Sequence, residues 1–80
     1  MNVNELALSD INKCKRTTIE SGDFTAHLTV NPHGKIHVTL WKEFEQSDGE
    51  MNNCIYYIDI YPYTSIGLDE AKKDLSRYIN

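Results

Sequence analysis

Between residues 24 and 42 apolar and polar side chains alternate almost without interruption. Phe24, Ala26, Leu28 and Val30 interleave with Thr25, His27 and Thr29; beyond a turn, Ile36, Val38 and Leu40 interleave with His37, Thr39 and Trp41. A period of two is the signature of strands with one buried face, so this segment predicts a hairpin. The intervening Asn31-Pro32-His33-Gly34 suits a type I turn closed by a glycine in the left-handed region. Such a loop pairs Val30 with Ile36 and Leu28 with Val38, and on the opposite face Thr29 with His37 and Thr25 with Trp41. Every apolar side chain then falls on one side, which is an internal test of the register.

The two ends carry helical spacing instead. Val3, Leu6, Ala7, Ile11 and Cys14 recur at helical intervals behind Asn2 and Glu5, whose separation fits a capping box. Lys13, Lys15 and Arg16 gather where cations suit a helix C-terminus, so a first helix is expected to end near Arg16 with Cys14 buried on it. Thr17, Thr18 and Ile19 are β-branched and either form a short strand turning at Ser21-Gly22 or carry the helix on to Gly22. Near the C-terminus, Gly67 opens a helix with Asp69 and Glu70 in its first turn and an apolar stripe of Leu68, Ala71, Leu75, Tyr78 and Ile79.

Residues 54–62, CIYYIDIYP, are apolar at either parity. Asp59 selects one, because an unpaired carboxylate is costly to bury: Tyr56, Ile58 and Ile60 are expected inside, Tyr57, Asp59 and Tyr61 outside. Residues 45–53, EQSDGEMNN, read as a long mobile polar loop. The predicted order is α-β-β-β-α: an α+β fold with an N-terminal helix, a three-stranded antiparallel β-meander (four-stranded if residues 17–20 pair) and a C-terminal helix. Its 80 residues make a single domain, 1–80, with a thin core, since a domain this small buries only about 60% of its chain's surface.

Composition narrows the chemistry. A net charge of −4 argues against a surface that tracks phosphates, which needs clustered Lys and Arg. The opening MNVNELALSD shows no secretory leader and no run reaches the ~20 apolar residues of a membrane span, so a cytoplasmic protein is expected. Cys14 and Cys54 lie far apart without CxxC spacing and read as free thiols in a reducing compartment. Hydrolase, zincin and nucleotide-loop signatures are absent, and the four glycines stand singly, each explicable as a turn residue, so no enzyme and no cofactor are expected. His27, His37 and Asp59 are weak metal candidates if the third strand brings Asp59 onto the histidine face; strand histidines among threonines are more ordinarily polar-face residues, so no metal is expected.

The outer sheet face is the more informative feature. At the expected parity it gathers Trp41, Tyr57 and Tyr61 with His27 and His37, and aromatics of this kind anchor protein interfaces. Residues 41–53 add Glu43, Glu45, Asp48 and Glu50 against Lys42 alone, which places three of the four net negative charges in one stretch. A solvated loop kept soluble by its charge is the plainer reading. The sharper one is a partner-binding surface of Trp41, Glu43, Glu45, Asp48, Glu50, Tyr57 and Tyr61 aimed at a basic protein surface. An accessory domain that homodimerises through the aromatic face or the sheet edge, and an antitoxin or immunity protein, are the alternatives.

Size, acidity, element order and the opening MNVNEL followed by a meander resemble the small inhibitors that phages and mobile elements encode, acidic anti-CRISPR proteins among them. The resemblance implies stoichiometric occlusion of a basic nucleic-acid-binding surface, such as that of a CRISPR effector or another nucleic-acid-handling complex, and carries over no functional residue. The element order is also similar to that of double-stranded RNA-binding domains. There the lysines cluster at the last helix's start, whereas Leu68-Asp69-Glu70 would repel phosphate here, so direct nucleic-acid binding is not expected.

Overall fold

The computed structural model describes residues 2–79. Two 3-10 turns, Val3–Glu5 and Leu8–Asp10, lead into four strands, β1 (Thr17–Ser21), β2 (Phe24–Val30), β3 (Lys35–Glu45) and β4 (Met51–Pro62), followed by one helix, α1 (Ser65–Leu75). The strands form an antiparallel sheet in the order β1-β2-β3-β4.

The expected N-terminal helix is therefore corrected: a helix-first α-β-β-β-α layout gives way to two isolated turns. Asn2 does cap, its Oδ1 accepting from the Glu5 amide at 3.2 Å, but the turn closes after one cycle. Asp10 then accepts from the Ala7 amide at 2.8 Å, and Asn12 from the Cys14 amide at 3.0 Å. Side chains of this type satisfy backbone amides locally and so compete with a continuous helical ladder. Val3, Leu6 and Ile11 still reach the core, while Cys14 and Cys54 are free and exposed, so the burial expected of Cys14 is also corrected. Tyr63 holds the segment down, its hydroxyl lying 3.0 Å from the Leu8 carbonyl and 2.8 Å from that of Ile11.

Strand formation at 17–21 supplies the fourth strand, with Ile19 opposite Ala26 and Gly22 at φ +59° in the turn. The β2–β3 hairpin has the register read from its alternation: Val30 opposite Ile36, Leu28 opposite Val38, Thr29 opposite His37, Thr25 opposite Trp41. Residues 45–53 are not a long mobile loop. The turn at Gln46–Glu50 repeats the geometry of Asn31–Lys35: the first amide donates to the fifth residue's carbonyl, and the amide of a glycine at positive φ, Gly34 at +74° and Gly49 at +87°, donates to the first residue's carbonyl. Outside it the strands continue as a paired ribbon, Glu43 opposite Asn53 and Glu45 opposite Met51. Strands of eleven and twelve residues set the molecule's 43 Å long axis against 24 and 17 Å in the other directions.

One core serves the described residues. Ile19, Ala26, Leu28, Ile36, Val38, Leu40 and Tyr61 meet Leu68, Ala71, Leu75 and Ile79 from the C-terminal segment and Val3, Leu6 and Ile11 from the N-terminal one. Helix α1 starts earlier than expected, capped by Thr64 Oγ1 accepting from the Gly67 amide at 3.0 Å, which moves Asp69 and Glu70 out of the first turn. It approaches so closely that a Cβ on Gly67 would lie 1.9 Å from the Pro62 carbonyl oxygen.

Candidate interaction surface

The N-terminal turns and α1 pack on the same side of the sheet, so its other face is left without a covering layer among the described residues. What that face carries follows from β4. Val38 lies opposite Asp59 and Ile36 opposite Tyr61, which places Tyr57, Asp59 and Tyr61 on the core side. Between Leu40 and Trp41 the register shifts: Leu40 pairs with Tyr57 but Trp41 with Ile55, so Tyr56 is an extra, bulged residue. Tyr56 consequently joins Tyr57 on the core side, where its ring meets Phe24 at 5.4 Å and Tyr78 at 5.4 Å. Ile55, Ile58 and Ile60 are left on the outer face, 50%, 52% and 48% exposed.

The parity expected for β4 is thus reversed, and Tyr57 and Tyr61 do not share a face with Trp41. The expectation treated a core-side carboxylate as buried, but β4 is the sheet edge, and Asp59 stays exposed there. Its carboxylate accepts from Tyr57 Oη at 3.1 Å and from the Ile60 amide at 2.8 Å. The phenols make a polar clasp to α1: Tyr61 Oη donates to Asp74 at 2.7 Å, and the Tyr57 hydroxyl, whose hydrogen goes to Asp59, lies against that of Tyr61. Burial is the main influence raising both phenol pKa values, and the neighbouring carboxylates push the same way.

Arg16, His27, His37, Thr39, Trp41 and Ile58 line a shallow concavity of about 380 Å³ on the outer face. Burial, then the nearby Arg16 charge, lower the His27 pKa against the opposing effect of Glu20. His27 and His37 are diagonal neighbours, as expected, but Asp59 lies on the other side of the sheet, so the three weak metal candidates are not brought together. No cluster of three or more His, Cys, Asp or Glu suited to a metal occurs among the described residues.

Of the seven partner-binding candidates, Trp41, Glu43 and Glu45 follow one another on the outer side of β3, and Asp48 and Glu50 sit at or beside the ribbon's tip. Ile58 and Ile60 were missed because Asp59 was expected to be excluded from the core side, and the bulge at Tyr56 is what brings Ile55 onto the same face as them. The three-residue step from Ile55 to Ile58, within an otherwise two-residue pattern, is the sequence signal that marks it. No helix among the described residues is long and apolar enough to cross a membrane. No protein-family model matches the chain, and neither a curated protein nor a solved structure is significantly similar to it.

Proposed function

We propose that this chain is a non-enzymatic protein-binding module that engages its partner through the outer face of the sheet and the adjoining acidic ribbon. The observation that carries the reading is the row Ile55, Ile58 and Ile60, half exposed beside Trp41 on an uncovered face. Single exposed apolar side chains are ordinary on a protein surface, whereas a contiguous row next to a tryptophan is what interfaces use. Glu43, Glu45, Asp48 and Glu50 continue that surface, and favour a partner whose apolar patch is rimmed by Lys and Arg.

In its finer form the proposal is a stoichiometric inhibitor of the anti-CRISPR kind, occluding the nucleic-acid-binding surface of a bacterial defence complex in the cytoplasm. Support for that form is the acidic ribbon, which offers carboxylates to a surface built to bind phosphates. An antitoxin or immunity protein would use the same face, and the identity of the partner separates the two.

The test is affinity capture from host or prey extracts with the wild type, Ile58→Lys and Glu43→Lys/Glu45→Lys/Asp48→Lys in parallel, followed by titration of the recovered partner. Recovery by the wild type and loss from both variants is the expected result. Equal affinity of the triple variant at low salt removes the ribbon from the interface, and equal affinity of Ile58→Lys removes the sheet face.

A further inference from the structure

The outer face is charged unequally along the strands. In register order its rows run Lys35; Arg16, Thr29, His37, Ile60; Thr18, His27, Thr39, Ile58; Glu20, Thr25, Trp41, Ile55; then Glu43 and Asn53; then Glu45 and Met51. One end is basic, the other acidic, and the isoleucines lie between them. The opposing influences of Arg16 and Glu20 on His27, one row to each side of it, reflect the same polarity.

We propose that a second copy of this chain docks on this face, the two outer faces stacked about a two-fold axis that reverses the strand direction. This rests on the reading of the face as a protein-binding surface and names one occupant for it. The charge pattern selects the arrangement. With strands parallel, the basic end carrying Lys35 and Arg16 would meet the basic end of the other copy, and the acidic end carrying Glu43 and Glu20 the acidic end. Reversal about the Ile58 row sets Lys35 of each copy against Glu43 of the other, Arg16 against Glu20, and Ile60 against Ile55, with Ile58 meeting itself at the axis. A two-fold contact of this kind is closed and self-complementary, so it yields a dimer and not a fibre.

Strand addition at the β4 edge is the competing mode, and the edge is blunted against it. It carries the Tyr56 bulge, ends in Pro62, and has its Asn53 and Ile60 amides engaged by the Asn52 and Asp59 side chains at 2.9 and 2.8 Å. The face has no such protection. With strands ~4.8 Å apart and same-face residues ~6.8 Å apart it presents roughly 500 Å² in projection, so two copies bury about 1,000 Å². That is the lower limit for a specific interface, and the dimer therefore forms at micromolar concentrations or above and dissociates on dilution.

Sedimentation equilibrium from micromolar to millimolar chain at low salt tests this with Lys35→Glu and Glu43→Lys, two exposed substitutions that leave the core untouched. The wild type dimerises, each single variant associates about tenfold more weakly, and an equimolar mixture of the two regains wild-type association. A strict monomer, a dimer indifferent to both reversals, or a mixture no tighter than its components overturns the stack. A monomer that still captures a partner through Ile58 refutes the self-docking alone, whereas a dimer whose captured partner ignores Ile58 and the acidic ribbon refutes the broader reading alone.

Discussion

Tyr61 donates its phenolic hydrogen to Asp74 across 2.7 Å, from β4 to α1, and this bond is one of the few polar ties between helix and sheet. Tyr61 is almost wholly buried while Asp74 is only partly so, which keeps the carboxylate's desolvation modest. A hydrogen bond to a charged group contributes ~1.5–3 kcal/mol. Tyr61→Phe should lower unfolding stability toward the bottom of that range, about 1.5 kcal/mol, because Tyr57 lies within reach of Asp74 at 3.4 Å and takes over part of the contact. Urea denaturation of Tyr61→Phe, Asp74→Asn and the double variant measures it. Strict additivity of the two substitutions would show that the bond contributes nothing.

Gly67→Ala sets two effects against each other. Within a helix, alanine is favoured over glycine by about 1 kcal/mol. The new methyl carbon, however, would lie 1.9 Å from a backbone carbonyl oxygen, which cannot rotate aside as a side chain does. Overpacking of this sort costs ~1–3 kcal/mol, and more where backbone must move, so the clash wins. The expected outcome is a net loss of about 2 kcal/mol or more, read as a lowered urea midpoint; a stabilised variant would mean that α1 can lift from Pro62.

Ile58→Lys separates surface from core. Because Ile58 is half exposed, its replacement should change stability by less than about 0.5 kcal/mol while raising solubility. The corresponding change of a buried residue in the same sheet, Leu40→Lys, should prevent folding, since Leu40 is fully buried. Thermal melts of the two variants check the contrast. A large loss for Ile58→Lys would place that side chain in a core. Trp41, the chain's single tryptophan, lies beside it and reports any covering of the face by a shift of its emission to shorter wavelength.

Stability should decline at both ends of the pH scale for different reasons. The His27 pKa is lowered on folding, so below about 6.5 the unfolded chain binds the proton more readily and stability falls as pH drops through that value. His27→Gln should flatten this limb slightly, the imidazole being only partly buried. Tyr57 and Tyr61 have raised values, so near pH 10 the unfolded chain ionises first and stability falls as pH rises. Urea midpoints between pH 5 and 11 test both limbs, and an alkaline limb unchanged in Tyr61→Phe would contradict the burial of that phenol.

The β2–β3 hairpin was legible in the sequence down to its register, because alternation and the Asn-Pro-His-Gly turn are local and agree with each other. So were Leu68, Ala71 and Leu75 on α1 and the acidity of residues 43–50, which depend only on spacing and composition, whereas Tyr78 and Ile79, expected on the same helix, lie beyond its end. Tertiary structure decided the rest. At the N-terminus the same apolar spacing suits a helix or two turns, and local capping by Asp10 and Asn12 together with anchorage to Tyr63 selected the turns. In β4, apolar residues at both parities left the choice to a bulge at Tyr56, to the exposed edge that keeps Asp59 solvated, and to Asp74 waiting on α1 for Tyr61. Sequence alone therefore determined that one sheet face is polar along β2 and β3. Only the packed structure decided that β4 contributes isoleucines to it, because the partners that satisfy buried phenols and an edge carboxylate come from elsewhere in the chain.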